Sequence, residues 1–185
     1  MDLASPHKVL SPARDFDPVE LESLDGLHLI EASAGTGKTF NIATLFVRYI
    51  AEIEHPALRR PLEVGDVLVV TFTEAATQEL RERIRKRVIQ ARDLAAAYAE
   101  GTLDAAPASE LLPILRIIER AAGKASPKQV AERLRLAALS LDELAVFTIH
   151  GFCQRALQEH AFECGSLFQR GDIVSDSELR LEIIK

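Results

Sequence analysis

One short segment, Ala32 to Thr39, constrains the fold of this chain more than any other. Its sequence, ASAGTGKT, has the spacing of a Walker A loop, with alanine in place of the first glycine. Such a loop lies between a buried strand and the start of a helix. The apolar run at 27–32 predicts that strand, and the helical spacing of apolar residues from Lys38 to about Glu54 predicts the helix. This context favours a phosphate-binding loop over a chance glycine-rich turn.

The residue types in the loop suit nucleotide phosphates. Gly35 and Gly37 let the backbone turn and bring successive N–H groups toward the phosphates. Lys38 can reach the terminal phosphates as a point charge, and Thr39 can present its hydroxyl to Mg²⁺. We therefore predict Lys38 and Thr39 as the catalytic pair and Thr39 as the metal ligand. The predicted binding set is the whole loop: Ala32, Ser33, Ala34, Gly35, Thr36, Gly37, Lys38 and Thr39.

The remaining pattern alternates strands with helices and predicts an α/β fold with a parallel sheet flanked by helices. Strands are predicted at 67–72 and 145–149, and helices at 75–100, 114–122, 127–139 and about 151–162. The first strand–helix–strand unit should have a right-handed crossover. Residues 1–23 carry three prolines and are predicted as an irregular lead-in. Residues 175–185 resemble a capped helix that stops with its apolar face still running, which is not typical of a natural terminus.

Polar residues follow the second predicted strand. Thr71, Phe72 and Thr73 come at its carboxyl end, where parallel sheets place their ligands. The hydroxyls could hold a phosphodiester and Phe72 could stack on a base. Equally, Phe72 could belong to the core while the threonines cap a helix. The basic run from Arg81 to Arg92 is likewise either a solvated helix face or a stripe that faces phosphates.

Thr148, His150 and Cys153 follow the third predicted strand. His150 and Cys153 suggest a Cys/His nucleophile or a metal pair, but the sequence offers no second ligand pair. A polar contact to a nucleic-acid backbone is the better interpretation. The segment 139–143 (LSLDE) invites interpretation as a Walker B strand. We reject that interpretation because residues 130–141 have helical periodicity and the acidic pair precedes a strand.

Composition and charge argue against several classes of protein. The formal net charge of −6 argues against a protein coated with positive charge for duplex DNA, although it does not exclude a local basic groove. No window approaches the roughly 18 apolar residues of a membrane span, and the start has no secretory pattern. Cys153 and Cys164 are the only cysteines, which favours a reducing cytoplasm.

Three blocks carry a family resemblance: LIEASAGTGKT at 29–39, VTFTEAATQELRERI at 70–84 and FTIHGFCQRAL at 147–157. Together, over about residues 24–180, they resemble the UvrD/Rep-like superfamily 1 DNA helicases, and within them the beta subunits of exodeoxyribonuclease V. The resemblance implies a P-loop NTPase (RecA-like) domain at 24–185, an incomplete first helicase domain with a helical insert at about 101–140. Most relatives carry a glutamine before the loop that reads adenine, whereas this chain has none before Gln78. The beta-subunit branch shares that absence.

Carried over to this sequence, the resemblance implies that the loop binds ATP with Mg²⁺. It also implies that two sets of residues line a track for single-stranded DNA: Thr71, Phe72, Thr73 and Ala75, and Thr148, His150 and Phe152. The implied activity is ATP-driven 3′→5′ movement, in a heterotrimer with gamma and alpha subunits. Acidic Mg²⁺ ligands, arginine fingers, a second RecA-like domain and a nuclease domain are expected beyond residue 185. The isolated chain is therefore expected to bind nucleotide weakly and to hydrolyse it negligibly.

Alternatives remain at this point. The chain could belong to another superfamily 1 helicase of the AddA or UvrD type. The loop could belong to a different P-loop enzyme, such as a small-molecule kinase, although acceptor-binding and lid residues are not recognisable. The chain could also be an interaction module that docks partner subunits through its helical insert.

Overall fold

The computed structural model describes residues 16–21, 23–24, 26–33, 35–54, 59–103 and 107–160. Five helices and two strands occur in these ranges: α1 (Lys38–Glu52), β1 (Val69–Thr71), α2 (Glu74–Glu100), α3 (Leu112–Ala122), α4 (Pro127–Leu139), β2 (Val146–Thr148) and α5 (Ile149–Glu159). Single turns of 3-10 helix occur at Val64–Asp66, Ser109–Leu111 and Leu141–Glu143. The predicted helix at 175–185 lies outside the described residues. None of the helices in the described ranges is both long enough and apolar enough to cross a lipid bilayer.

The two strands form a small parallel sheet. β1 pairs with β2 so that Val69 lies opposite Val146 and Thr71 lies opposite Thr148. The predicted strands at 67–72 and 145–149 are thus confirmed in their central residues. Because the strands are parallel and in register, their carboxyl ends lie side by side at one edge of the sheet.

The predicted strand at 27–32 is wrong in this structure. Residues 26–33 have no regular secondary structure, and the side chains of Leu27 and Leu29 are 98% and 76% exposed. A strand depends on a neighbour that satisfies its backbone N–H and C=O groups. Within the described ranges, β1 and β2 pair with each other and neither pairs with this segment. The predicted right-handed strand–helix–strand unit is therefore not formed.

The four helices α1 to α4 share one apolar core. Each of them packs against the other three, and α2 also packs on β2. The largest fully buried side chains come from all four helices: Phe46, Ile50, Ile84, Ile114, Ile117, Ile118 and Leu134. The helical predictions are confirmed within two residues at every end of α1 to α4, because their apolar spacing matches the faces that this core buries.

The acidic pair before β2 lies outside any strand, as predicted. Helix α4 ends at Leu139, and Asp142 and Glu143 lie in the 3-10 turn that precedes β2. A Walker B carboxylate follows the end of a strand, so the rejection of that motif agrees with the structure.

The described part of the lead-in packs against the helices. Val19 is 3% exposed, and Arg48 on α1 donates hydrogen bonds to the carbonyls of Pro18 (2.8 Å) and Leu21 (2.6 Å). Arg120 on α3 donates to the carbonyl of Val19 at 2.5 Å. The predicted insert and the lead-in therefore share one packed body with α1.

Candidate nucleotide loop and nucleic-acid interface

The chain turns at residues 35–37, directly before α1. Gly35 and Gly37 both have left-handed backbone angles, with φ of 79° and 78°. Gly37 is also the N-cap of α1, so the helix begins at Lys38. Any residue with a Cβ would be strained at these two angles, which explains the glycines. Ala34 lies outside the described residues.

The ammonium of Lys38 lies over the loop that precedes it. Lys38 Nζ donates hydrogen bonds to the carbonyl oxygens of Ala32 and Ser33, each at 2.9 Å. The hydroxyl of Thr36 also donates to Ser33 O, at 2.8 Å. A straight chain would place residues 32 and 38 about 20 Å apart. The loop therefore closes around the lysine, and Thr39 follows it in the first turn of α1.

The end of β1 is joined to α2 by two residues, Phe72 and Thr73. Thr73 is the N-cap of α2, and its Oγ1 accepts a hydrogen bond from the N–H of Ala76 at 3.2 Å. Thr71 Oγ1 lies 2.5 Å from Thr77 Oγ1. Phe72 is 87% exposed. Capping by Thr73 is therefore confirmed, whereas a core position for Phe72 is wrong. Ala75 is exposed in the first turn of α2.

The end of β2 repeats this arrangement. Thr148 is the N-cap of α5, and its Oγ1 accepts a hydrogen bond from the N–H of Gly151 at 3.1 Å. His150 is exposed in the first turn, and Phe152 is 36% exposed. Thr148 itself is buried, so its main role here is to cap the N-terminus of α5.

The two strand ends form one surface. Thr71 and Thr148 are register partners, so the N-termini of α2 and α5 lie at the same edge of the sheet. A cavity of about 320 Å³ lies beside them and is lined by Glu74, Thr77, Gln78, Arg81, Val146, Phe147, Thr148 and Gly151. Helix N-termini carry unpaired N–H groups and a partial positive charge. This edge therefore suits an anionic backbone better than a cation.

The basic run on α2 does not form a single face. Arg87 is buried, with 5% of its surface exposed, so neither the solvated-face nor the phosphate-stripe interpretation holds for it. Arg81 donates a hydrogen bond to Val146 O at 2.8 Å. Arg81 and Arg85 line an open groove of about 710 Å³ together with Arg155 on α5, and this groove also carries carboxylates. Arg83 and Lys86 are exposed.

Sequence reasoning missed Thr77. This residue is 4% exposed, and its hydroxyl donates to Thr73 O at 3.0 Å while meeting Thr71 Oγ1. The spacing could have predicted that Thr77 is buried. Thr77 precedes Leu80 and Ile84 by three and seven positions, which places it on the inward face of α2. A polar residue at such a position needs a local partner, and the strand end supplies it.

Among the residues that the structure describes, no group of three His, Cys, Asp or Glu side chains is placed to hold a metal ion. Cys153 is exposed and is not in a disulfide. Thr39 is the one predicted metal ligand, and its hydroxyl would need further ligands from bound phosphate and water.

Comparisons with known proteins give a consistent result. Residues 17–185 match the family model described as the UvrD/REP helicase N-terminal domain. The RecBCD enzyme subunit RecB of Escherichia coli (strain K12) is 48% identical over 171 residues, which are 92% of this chain and 13% of the relative. RecB of Haemophilus influenzae is 38% identical over 169 residues, or 89% of this chain and 13% of the relative. RecB of Mycobacterium tuberculosis (strain ATCC 25618 / H37Rv) is 36% identical over 153 residues, or 82% of this chain and 12% of the relative. The chain thus spans about 13% of the length of the curated relatives it matches.

Proposed function

Since this chain belongs to the family of UvrD/REP helicase N-terminal domains, we propose that it is the ATP-binding front part of a RecB-type DNA helicase. The observation that carries the proposal is the closed loop at the start of α1, where Lys38 Nζ contacts two loop carbonyls at 2.9 Å. Carbonyl oxygens are weak partners for an ammonium compared with a phosphate. The lysine is thus held where a phosphate group could take over its contacts.

The residues present fit ATP with Mg²⁺. Gly35 and Gly37 have left-handed angles, and among the residues that the structure describes none beyond their chain neighbours comes within 4 Å of where a Cβ would lie. Phosphates could therefore approach this backbone directly. Lys38 would bind the terminal phosphates, the N-terminus of α1 would stabilise their charge, and Thr39 would offer its hydroxyl to the metal. When bound, ATP would supply the free energy of phosphoanhydride hydrolysis for movement along DNA.

The edge formed by the ends of β1 and β2 is the proposed track for single-stranded DNA. Thr73 and Thr148 cap neighbouring helices there, which leaves further N–H groups of both first turns for phosphate oxygens. Phe72 is exposed at the same edge and offers a ring on which a base can stack. Thr71, Ala75, His150 and Phe152 complete the proposed contact set.

For the whole protein we propose 3′→5′ translocation on DNA in break repair by homologous recombination. RecC and RecD are the proposed partners, as the name RecBCD indicates for the relatives. We further propose that 24–185 is part of a RecA-like domain, that about 101–140 is its insert, and that the protein acts in the cytoplasm. Later strands of that domain would provide the neighbour that residues 27–32 need in order to join the sheet.

The alternatives have less support. Family membership disfavours a small-molecule kinase, and the RecB relatives favour this branch over AddA-like and UvrD-like chains. A docking module based on the 101–140 segment would need a free apolar face. The main apolar face of this segment, which carries Ile114, Ile117 and Leu134, is instead buried in the core, and Leu112, Leu136 and Leu139 are its exposed large apolar side chains.

The test of the proposal is Lys38→Ala in the complete natural protein. We expect isothermal titration calorimetry to detect no ATP binding by this variant. Its circular dichroism spectrum should be unchanged, because the exposed Lys38 side chain contributes nothing to the core. Lys128→Ala is the matched control, since Lys128 is also an exposed lysine in the first turn of a helix. If Lys38→Ala and Lys128→Ala both bind ATP as tightly as the wild type, the assignment of the loop as the ATP site is wrong.

A further inference from the structure

The buried arginine in the middle of α2 has an unusual set of partners. Arg87 is 5% exposed, and its hydrogen bonds go to neutral oxygens. Its Nε and Nη2 each lie 3.2 Å from Thr44 Oγ1, and Nη1 donates to Glu110 O at 2.9 Å and to Gln90 Oε1 at 3.4 Å. Burial lowers the pKa of Arg87, and the nearby Glu110 carboxylate opposes this effect. The guanidinium stays charged all the same.

These contacts reach the first turns of α1, next to the nucleotide loop. Arg87 Cζ lies 4.1 Å from the centroid of the Phe40 ring. The hydroxyl of Thr44, which accepts from Arg87, donates in turn to Phe40 O at 2.9 Å. Phe40 immediately follows Lys38 and Thr39. A displacement of the start of α1 would therefore change the contacts of Arg87.

The same helix that carries Arg87 begins at the proposed DNA edge. Helix α2 starts at Glu74, directly after the Thr73 cap, and Thr77 in its first turns contacts Thr71. At 1.5 Å per residue, about 20 Å of continuous helix separates Glu74 from Arg87. Because α2 is one continuous helix over this distance, it is the physical link between the two sites.

Packing alone does not require a cation at this position. Replacing buried charged groups by apolar residues of similar volume is often neutral or stabilising. A guanidinium adds directional contacts, because its rigid planar donors and its stacked face restrict where Thr44 and Phe40 can lie. Arg87 therefore specifies how α1 sits against α2.

We propose that Arg87 is a positioning residue that couples nucleotide binding at the loop to the grip on DNA at the end of β1. It does so by holding Phe40 and Thr44 of α1 in one register against α2. This inference rests on the proposed function, since it requires that the loop bind ATP and that the strand ends bind DNA.

The test measures thermodynamic linkage in the complete natural protein with its partner subunits. The affinity for a fluorescent oligo(dT) is determined with and without a non-hydrolysable ATP analogue and Mg²⁺, and the ratio of the two affinities is the readout. Coupling between sites is typically about 5- to 150-fold, and we expect a ratio in that range for the wild type. For Arg87→Met we expect a ratio below about twofold, with the separate affinities for nucleotide and DNA close to those of the wild type.

Two further variants keep the test decisive. Thr44→Val removes the hydroxyl that accepts from Arg87 while preserving the shape of the side chain. It should therefore also reduce the ratio of DNA affinities, and it replaces Arg87→Met in the test if that variant does not fold. Arg48→Met is the matched control. Arg48 is also a buried arginine on α1, with 3% of its surface exposed, but its guanidinium contacts the lead-in. We expect it to keep the wild-type ratio even if it lowers stability.

The possible failures are distinguishable. A wild-type protein that binds neither nucleotide nor DNA would overturn the proposed function itself. If the wild type binds both, the inference is overturned by the absence of any linkage, or by ratios in Arg87→Met and Thr44→Val that equal that of the wild type. An equal loss of linkage in Arg48→Met would also overturn it, since any buried arginine would then serve.

Discussion

At the scale of single residues, the functional candidates differ mainly in what their side chains touch. Lys38 contacts two carbonyls of its own loop, Thr73 and Thr148 each cap a helix, and Phe72 is almost fully exposed. An aromatic ring left 87% exposed at a strand end, where the neighbouring groups suit an anionic backbone, is consistent with base stacking. This residue therefore offers the most direct test of the DNA edge.

Phe72→Ala in the complete natural protein should weaken binding of single-stranded DNA. Stacking on an aromatic side chain is worth about 1–3 kcal/mol per base, so we expect a loss of about 5- to 150-fold in affinity. Fluorescence anisotropy with a labelled oligonucleotide measures it. Leu139→Ala, which truncates another exposed apolar side chain (68%) on α4, should leave the affinity unchanged. Equal affinities for Phe72→Ala and the wild type would exclude Phe72 from the track.

At the scale of elements, the caps decide where helices begin. α2 and α4 start after Thr73 and Ser126, whose side chains accept from the backbone N–H of Ala76 and Gln129. These caps satisfy donors that a helix leaves unpaired in its first turn. The Thr73 cap also sets the end of the β1–α2 connection, so it contributes both to stability and to the geometry of the DNA edge.

Thr73→Ala should reduce the free energy of unfolding by about 1 kcal/mol, because the N–H of Ala76 loses its acceptor. Urea unfolding followed by circular dichroism measures the change. Thr73→Ser keeps the hydroxyl and should stay near the wild-type value. If the alanine variant were as stable as the serine variant, the cap would not contribute to stability.

At the scale of the whole molecule, a buried carboxylate joins three segments. Glu52 on α1 has a side chain 2% exposed, and its Oε1 pairs with Arg48 Nε at 3.3 Å and with Arg120 Nε at 3.0 Å. The same two arginines hold the carbonyls of the lead-in. Burial lowers the pKa of Arg48, while the charge of Glu52 raises it. One carboxylate therefore compensates part of the charge of the two arginines that connect α1, α3 and the lead-in.

Glu52→Gln should be strongly destabilising, because both arginines would lose the charge that compensates them. Breaking a buried ion pair by removing one partner costs about 3 kcal/mol or more, and urea unfolding should report a loss of that size. The control is Glu132→Gln, which removes an exposed partner of Arg135 and should change stability little. Similar unfolding curves for the two variants would contradict the role of Glu52.

The sequence by itself determined the features that depend on near neighbours. The helices could be predicted closely because the spacing of residues such as Leu80 and Ile84 repeats within a few turns. The turns at Gly35 and Gly37 could be predicted because glycine is the residue that most readily adopts a positive φ. The two strands followed from short apolar runs with hydroxyl residues behind them, whereas their pairing was decided by the tertiary structure.

Only the tertiary structure decided what depends on distant partners. Residues 27–32 have the composition of a strand, but a strand also needs a neighbour, which the described residues do not supply. Arg87 looked like its basic neighbours in sequence, yet it is buried because Thr44 and Glu110, 43 and 23 positions away, offer it acceptors. Phe72 could have been core or surface, and the packing around the end of β1 left it exposed. Burial is a property of what other segments cover, and local sequence does not contain it.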